Sequence, residues 1–192
     1  MWPWEHVLFA YVFFSIFHRM WYGTPPPDWP VVALVVGSLL PDVIDKPLAW
    51  QFGIFEGGYA VGHSVFVAIP VSLMIYLIAR QYGFERIGLG FIFGYLLHLV
   101  GDVLPPTIRH GELRLEPILW PFVEQEDHHT TFIGGFQENI IEYATYLLAL
   151  EMTPVLMLQL GSVFVGILLW LVDGMPGGRI LWSSRKKTDP DI

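Results

Sequence analysis

The chain of 192 residues is 54% hydrophobic and 15% charged, whereas a soluble domain of this length carries about 25% charged residues, so the composition favours a membrane protein. Its net charge of −8 argues against a nucleic-acid-binding protein, because acidic surfaces repel phosphate backbones. The chain has no cysteine, which excludes catalytic thiolates and cysteine-ligated zinc. We expect one integral membrane domain over residues 1–175, followed by a basic, flexible tail over residues 176–192.

Four apolar runs are long enough to cross, or nearly cross, a hydrocarbon core of about 30 Å, which takes about 20 helical residues. In chain order they are Val7–Tyr22, Gly62–Ala79, Ile87–Leu104 and Pro154–Val172. A shorter run, Trp29–Leu40, predicts a thin or tilted span. A sixth run, Gln137–Met152, contains three glutamates and either crosses the bilayer or lies in the interface. The sequence thus predicts an all-α, polytopic bundle of about five transmembrane helices, with or without an added interfacial helix.

Basic residues mark the loops that are expected on the cytoplasmic side. Arg80 and Arg86 bracket one short loop, and further basic residues follow the first run and crowd the C-terminal tail. By contrast, the connection from Asp102 to Glu138 holds seven acids and two arginines. The sequence therefore predicts a multi-pass protein of the cell membrane, with this acidic connection on the extracytoplasmic side.

Polar side chains interrupt the apolar pattern at the ends of four predicted helices. In chain order they are Glu5-His6, Asp42-Val43-Ile44-Asp45, Gly62-His63-Ser64 and His98-Leu99-Val100-Gly101-Asp102. Since consecutive spans alternate in direction, these four ends fall on one membrane face, the extracytoplasmic one. A charged side chain within apolar sequence needs a partner, a metal ion or a water-filled cavity. The four clusters are thus expected to meet at one site.

The spacing of these residues suits a divalent cation. His98 and Asp102 are four residues apart in a predicted helix, so their side chains share one face. Asp42 and Asp45 are three apart and are expected on the first turn beyond their helix. A mixed set of nitrogen and oxygen ligands favours zinc, manganese or iron over calcium. The predicted ligands of one or two divalent ions are His6, Asp42, Asp45, His63, His98 and Asp102. The alternative stays open that these groups only cap helices or form hydrogen bonds within the bundle.

Further residues are candidates for roles around such an ion. Glu5 and Glu56 are candidates for the general base, although each also fits a solvated interfacial acid. Arg109 could bind a substrate phosphate or balance nearby acids. The pair His128-His129 in the acidic connection could add a ligand or lie in a solvated loop.

At these residues the sequence resembles the membrane-bound metal-dependent hydrolase family, also described as LexA-binding, inner-membrane-associated hydrolases. The matching residues, in the family's order and within roughly residues 1–110, are His6, Pro41-Asp42-x-x-Asp45, Gly62-His63-Ser64 and His98-x3-Asp102. The resemblance implies a small, multi-spanning prokaryotic protein with a metal-dependent hydrolytic site. Two segments depart from the pattern: Lys46-Pro47 and Gly57-Gly58-Tyr59 stand where members often carry further histidines.

The sequence leaves several functions open. The first is a membrane-embedded hydrolase that cleaves an ester or phosphoester of an amphiphilic or lipid-like substrate with metal-activated water. The second is a non-catalytic membrane protein whose metal or polar cluster is structural or supports the binding of a partner. An ion or proton pathway is disfavoured, because the predicted helix centres are almost wholly apolar.

Overall fold

The computed structural model describes residues 1–124, 137, 140, 141, 143–145, 148 and 152–180, and these residues form an all-helical fold without strands. The helices are α1 (Pro3–Tyr22), α2 (Asp28–Trp50), α3 (Val65–Gln81), α4 (Glu85–His110) and α5 (Pro154–Val172), with a short 3₁₀ helix over Glu116–Ile118. The predicted all-α class is therefore confirmed. The His128-His129 pair, most of the Gln137–Met152 run and the tail from residue 181 lie outside the described residues.

Local signals fix where α1 begins and ends. Pro3 occupies the first turn, where a missing N–H costs nothing, and the Glu5 carboxylate accepts the backbone N–H of Trp2 at 2.9 Å. The helix stops at Gly23, whose φ of +70° lies in the left-handed region that glycine tolerates best. These contacts place Glu5 and His6 in the first turn of α1.

The second helix is longer than its apolar run predicts. It continues from Leu40 through Pro41 and Pro47 to Trp50, so Asp42 and Asp45 lie within the helix and not on a turn beyond it. The hydropathy of a segment indicates whether it lies in lipid or in water. The length of a helix depends instead on its backbone hydrogen bonds, which can continue beyond the apolar run. Each proline removes only one of those bonds, and the buried acids find partners elsewhere in the fold.

Two of the described helices, α4 and α5, are long and apolar enough to cross a membrane. The helix α3 is apolar but shorter, with 17 residues. Exposed apolar side chains cover the outer faces of α3 and α5, and examples are Ile69, Leu73, Leu77, Phe164 and Leu168. A soluble protein rarely exposes so many apolar side chains on neighbouring turns, so these faces suit contact with lipid.

The helix α4 lies at the centre of the bundle and packs most closely against α2. Gly90 and Gly94 of α4 make this approach possible: a Cβ atom at Gly90 would lie 2.1 Å from the carbonyl oxygen of Pro30, and one at Gly94 would lie 2.1 Å from that of Leu34. Small residues allow such backbone contact between membrane helices. The close contact brings the polar residues of α2 and α4 into one layer.

A second polar cluster joins α1 to the C-terminal end of α5. The buried Asp173 accepts hydrogen bonds from the hydroxyl groups of Tyr11 and Ser15 at 2.5 and 2.6 Å and pairs with Arg19. Because its carboxylate is satisfied by four donors, this cluster is a closed interhelical contact.

Candidate metal centre

Five of the six predicted ligands meet in one buried cluster. His6 comes from the first turn of α1, Asp42 from α2, His63 from the segment before α3, and His98 and Asp102 from α4. Ligand atoms of Asp42, His63 and His98 lie within 4.8 Å of one another, and so do those of His6, His98 and Asp102. His98 belongs to both sets, so the geometry suits either one ion or two adjacent ions.

Two imidazoles face each other at the centre of this cluster. The Nε2 atoms of His63 and His98 are 3.1 Å apart. The Nδ1 atom of His98 lies 2.6 Å from the carbonyl oxygen of Ser38, which can only accept, so Nδ1 carries the proton and Nε2 presents a lone pair. The Nδ1 atom of His63 similarly lies 2.8 Å from Oδ2 of Asp45. Two lone pairs at this distance repel each other unless a proton or a metal ion lies between them.

Carboxylate oxygens surround the two facing nitrogens. Oδ2 of Asp102 lies 3.2 Å from Nε2 of His98 and 3.4 Å from that of His63, and Oδ1 of Asp42 lies 3.4 Å from Nε2 of His63. Ligand atoms placed about 2.0–2.1 Å from a tetrahedral zinc ion lie about 3.3 Å from one another. The Nε2 atoms of His63 and His98 and Oδ2 of Asp102 therefore have the spacing of three ligands of such an ion, whereas Oδ1 of Asp42 is more distant, 3.9 Å from Nε2 of His98.

Several buried polar atoms in the cluster have no hydrogen-bond partner. They are Nδ1 of His6, Oδ2 of Asp42 and Oδ2 of Asp102. An unsatisfied buried polar atom costs about 1–3 kcal/mol, so proteins seldom keep several together without a ligand. The ring of His6 stacks on that of His98 at 3.9 Å, and its Nε2 atom lies 3.3 Å from Oδ1 of Asp102. His6 thus borders the centre and offers a further ligand atom.

Asp45, also predicted as a ligand, lies behind His63 instead. Its two oxygens accept the backbone N–H groups of Ala60, Gly62 and His63 at 2.8–2.9 Å as well as the ring N–H of His63. Such a carboxylate fixes the tautomer and the orientation of a ligating histidine. Sequence spacing cannot distinguish this role from direct ligation.

The carboxylates also control the protonation of His63, which lies between α2 and α3. Burial is the largest effect and lowers its pKa, but the neighbouring carboxylates of Asp102, Asp42 and Asp45 together outweigh it and raise the pKa to about 10. At neutral pH the metal-free cluster therefore holds a proton on His63.

The proposed base and substrate residues lie apart from the cluster. Glu5 is buried, but its oxygens accept hydrogen bonds from the Tyr143 hydroxyl at 2.7 Å and the Gln159 amide at 3.0 Å. Glu56 is exposed on the segment between α2 and α3, and Arg109 is exposed about two turns beyond Asp102.

Two further groups contribute to the cluster and were not predicted from the sequence. Nζ of Lys46 lies 2.6 Å from Oδ1 of Asp42 and neutralises part of its charge. The spacing of four residues in one helix could have revealed this pair. The carbonyl of Ser38, which orients His98, leaves no trace in the sequence because every residue has a carbonyl group.

The comparisons with known proteins identify a family of membrane proteins but no catalytic activity. The model of the YdjM inner membrane protein family matches residues 1–176, which include all five described helices and the whole cluster. No curated protein and no solved structure matches the chain. Hydrolysis and LexA binding, which the resemblance implies, stay predictions. The chain belongs to the YdjM inner membrane protein family.

Proposed function

We propose that this protein is a multi-pass membrane hydrolase that holds a divalent metal ion between His63 and His98. The observation that carries the proposal is the approach of the two Nε2 atoms to 3.1 Å while each Nδ1 is occupied elsewhere. The carboxylates of Asp42 and Asp102 support it, since each places one oxygen 3.4 Å from Nε2 of His63 and each has an oxygen without a hydrogen-bond partner. Zinc, manganese and iron fit this donor set best.

The residues of the centre have separable tasks. A divalent ion held here would lower the pKa of water and supply a nucleophile at neutral pH. His63 and His98 would hold it through Nε2, while Asp45 and Ser38 orient their rings. Oδ2 of Asp42 has no hydrogen-bond partner, so it would be free to accept a proton. The carboxylate of Glu5 is instead engaged by Tyr143 and Gln159.

The chemistry of a divalent ion suits a phosphoester. The carboxylates of Asp42, Asp45 and Asp102 carry three negative charges, which one divalent ion and the ammonium group of Lys46 beside Asp42 would balance. The centre would therefore not repel an anionic group, and the ion would stabilise the negative charge that develops in phosphoryl transfer. Because the centre belongs to a membrane protein, an amphiphilic or lipid-like phosphoester is the proposed substrate class.

The proposed topology has about five membrane crossings. The helices α1 and α2 pack along α4, one of the two apolar candidate spans, so we infer that they cross the bilayer with it. The Arg80–Arg86 loop is then cytoplasmic, and the acidic connection after α4 is extracytoplasmic. This orientation places the metal centre near the extracytoplasmic face.

A structural metal is the second candidate, and the burial of the ligands favours it. His63 and His98 expose none of their side-chain surface, whereas a catalytic centre must admit substrate. A metal ion with no open coordination position that joins α1, α2 and α4 would stabilise the bundle without taking part in catalysis.

Metal analysis of the purified full chain tests the proposal. We expect about one zinc, manganese or iron ion per chain, which His98→Ala should lose. His18→Ala is the matched control, because His18 is equally buried but bonds to the carbonyl of Thr24 at the other end of α1. Hydrolysis of fluorescent phosphoesters that depends on His98 supports the enzyme. Retained metal without hydrolysis supports the structural alternative, and a wild-type chain that binds no metal refutes both.

A further inference from the structure

A surface cavity of about 230 Å³ opens beside the candidate metal centre. It is formed by the segment between α2 and α3 together with the segment that follows the 3₁₀ helix. Its lining includes three aromatic residues and two glutamates, which are Phe55, Tyr59, Trp120, Glu56 and Glu124. Pockets for drug-sized ligands measure about 300–1,000 Å³, so this cavity suits a small group.

The lining has the chemistry of a site for an organic cation. None of the described residues that line the cavity is basic, and Glu56 and Glu124 supply two carboxylates. The rings of Phe55 and Trp120 lie 5.8 Å apart and are inclined by 72°, so they form two differently directed aromatic walls. Aromatic faces attract ammonium groups through their quadrupole. A hard metal ion would instead require a shell of oxygen ligands, which two glutamates alone do not supply.

The wall of the cavity is directly connected to the metal centre. The ring of Tyr59 contacts that of His63 edge to face at 4.8 Å. The N–H of Ala60 donates to Asp45, the residue that orients His63, at 2.8 Å. On the opposite wall, the Trp120 carbonyl accepts the Ser64 hydroxyl at 2.7 Å. A ligand in the cavity would therefore be separated from His63, a proposed metal ligand, by the side chain of Tyr59 alone.

We propose that this cavity binds an alkylammonium group of the size of choline or ethanolamine. The substrate class follows only if the proposed hydrolase function holds: a zwitterionic molecule would place its ammonium group in the cavity and its phosphoester at the metal centre. The same ammonium chemistry could come from a phospholipid headgroup in the bilayer or from a free amino-alcohol phosphate.

Choline titration of the full chain in an uncharged maltoside detergent tests the cavity. We expect saturable binding in calorimetry, and about tenfold weaker binding of 3,3-dimethylbutan-1-ol, which has the shape of choline without its charge. The double change Glu56→Gln and Glu124→Gln should weaken choline binding about fivefold to tenfold. Both glutamates are exposed, so folding is not at risk. Trp120→Leu should also weaken binding, because it removes the ring but keeps the carbonyl that binds Ser64.

The matched control is Glu112→Gln, an exposed acid outside the cavity that should leave choline binding unchanged. Nanodiscs identify the source of the ligand. Free choline that binds in phosphatidylglycerol discs but not in phosphatidylcholine discs indicates a lipid headgroup, whereas equal binding in both indicates a free amine. The proposal is overturned if choline does not saturate, if the neutral analogue binds equally well, or if the double variant binds like the wild type.

The titration is repeated after EDTA treatment, so that its outcome does not depend on hydrolysis. Binding of choline without any hydrolysis would leave the cavity assigned and the enzyme refuted. Hydrolysis of amine-free phosphoesters at the same rate as zwitterionic ones would keep the enzyme and overturn the substrate class.

Discussion

The imidazole of His63 is held by Asp45 from the side opposite the proposed ion. Asp45→Asn keeps the shape of the side chain but replaces one of the two oxygens that accept hydrogen bonds from four N–H groups with an amide nitrogen, which cannot accept them. We expect the affinity for zinc to fall about 10–100-fold, the usual effect of removing a residue that orients a ligand. Chelator competition measures this change.

Two further variants complete that experiment. Asp102→Asn removes a proposed ligand and should abolish binding. Asp28→Asn should leave binding unchanged, because Asp28 contacts Gly177 and Arg179, away from the cluster. If Asp45→Asn abolishes binding as completely as Asp102→Asn does, Asp45 is itself a ligand and the assignment made above is wrong.

Protonation of His63 gives the metal site a defined pH dependence. Since its pKa is raised to about 10, a metal ion must displace a proton at every pH below that value. The affinity should therefore rise about tenfold per pH unit between about pH 6 and 8, with about one proton released per ion. Calorimetry in buffers of different ionisation enthalpy counts that proton. A pH-independent affinity would contradict a ligand role for Nε2 of His63.

The sequence could predict the types of the proposed ligands and their order. It could not predict which residues face the ion and which only orient a ligating histidine. His98 and Asp102 share a helix face by spacing alone, so their contact was predictable. The role of Asp45 depends on backbone N–H groups of residues 60–63, and backbone donors leave no pattern in a sequence.

At the scale of the helices, the contact between α2 and α4 sets the geometry of the centre. Gly94→Ala would place a Cβ atom 2.1 Å from the carbonyl oxygen of Leu34 and 2.8 Å from the Ser38 nitrogen. The helices must then separate, which should cost about 1–3 kcal/mol of stability. Ser38 also orients His98, so metal affinity should fall together with the melting temperature.

Gly161→Ala on α5 is the control for that change, because a Cβ atom at this position meets no atom within 4 Å. It should keep or slightly raise the melting temperature, since alanine favours a helix more than glycine does. Thermal unfolding in detergent compares the two variants. If both behave alike, the close approach of α2 and α4 does not limit stability.

Apolar runs predicted the existence of these helices better than their ends. The apolar run Pro154–Val172 coincides with α5, one of the two described helices that are long and apolar enough to cross a membrane. The helices α2 and α4 continue into polar sequence, to Trp50 and His110. Asp45 of α2 and Asp102 of α4 are buried in these polar parts, whereas the last turn of α4 is exposed, and a hydropathy pattern detects neither continuation.

At the scale of the whole molecule, alternation of the predicted spans was enough to bring distant polar clusters to one end of the bundle. Four segments meet at this end: the first turn of α1, the C-terminal part of α2, the segment before α3 and the second half of α4. The side of the membrane on which this end lies depends on charge bias alone, so it requires its own measurement.

Single cysteines can determine the orientation, because the chain has no native cysteine. Glu112 is exposed just beyond α4, near the cluster end, and Tyr82 is exposed in the loop that joins α3 to α4 at the opposite end. An impermeant maleimide should label Glu112→Cys in intact cells and Tyr82→Cys only after permeabilisation. The reverse pattern would place the metal centre on the cytoplasmic face, where its substrate must then be sought. Labelling of both cysteines from the same side would contradict a membrane crossing by α4, and with it the alternation on which the shared polar end depends.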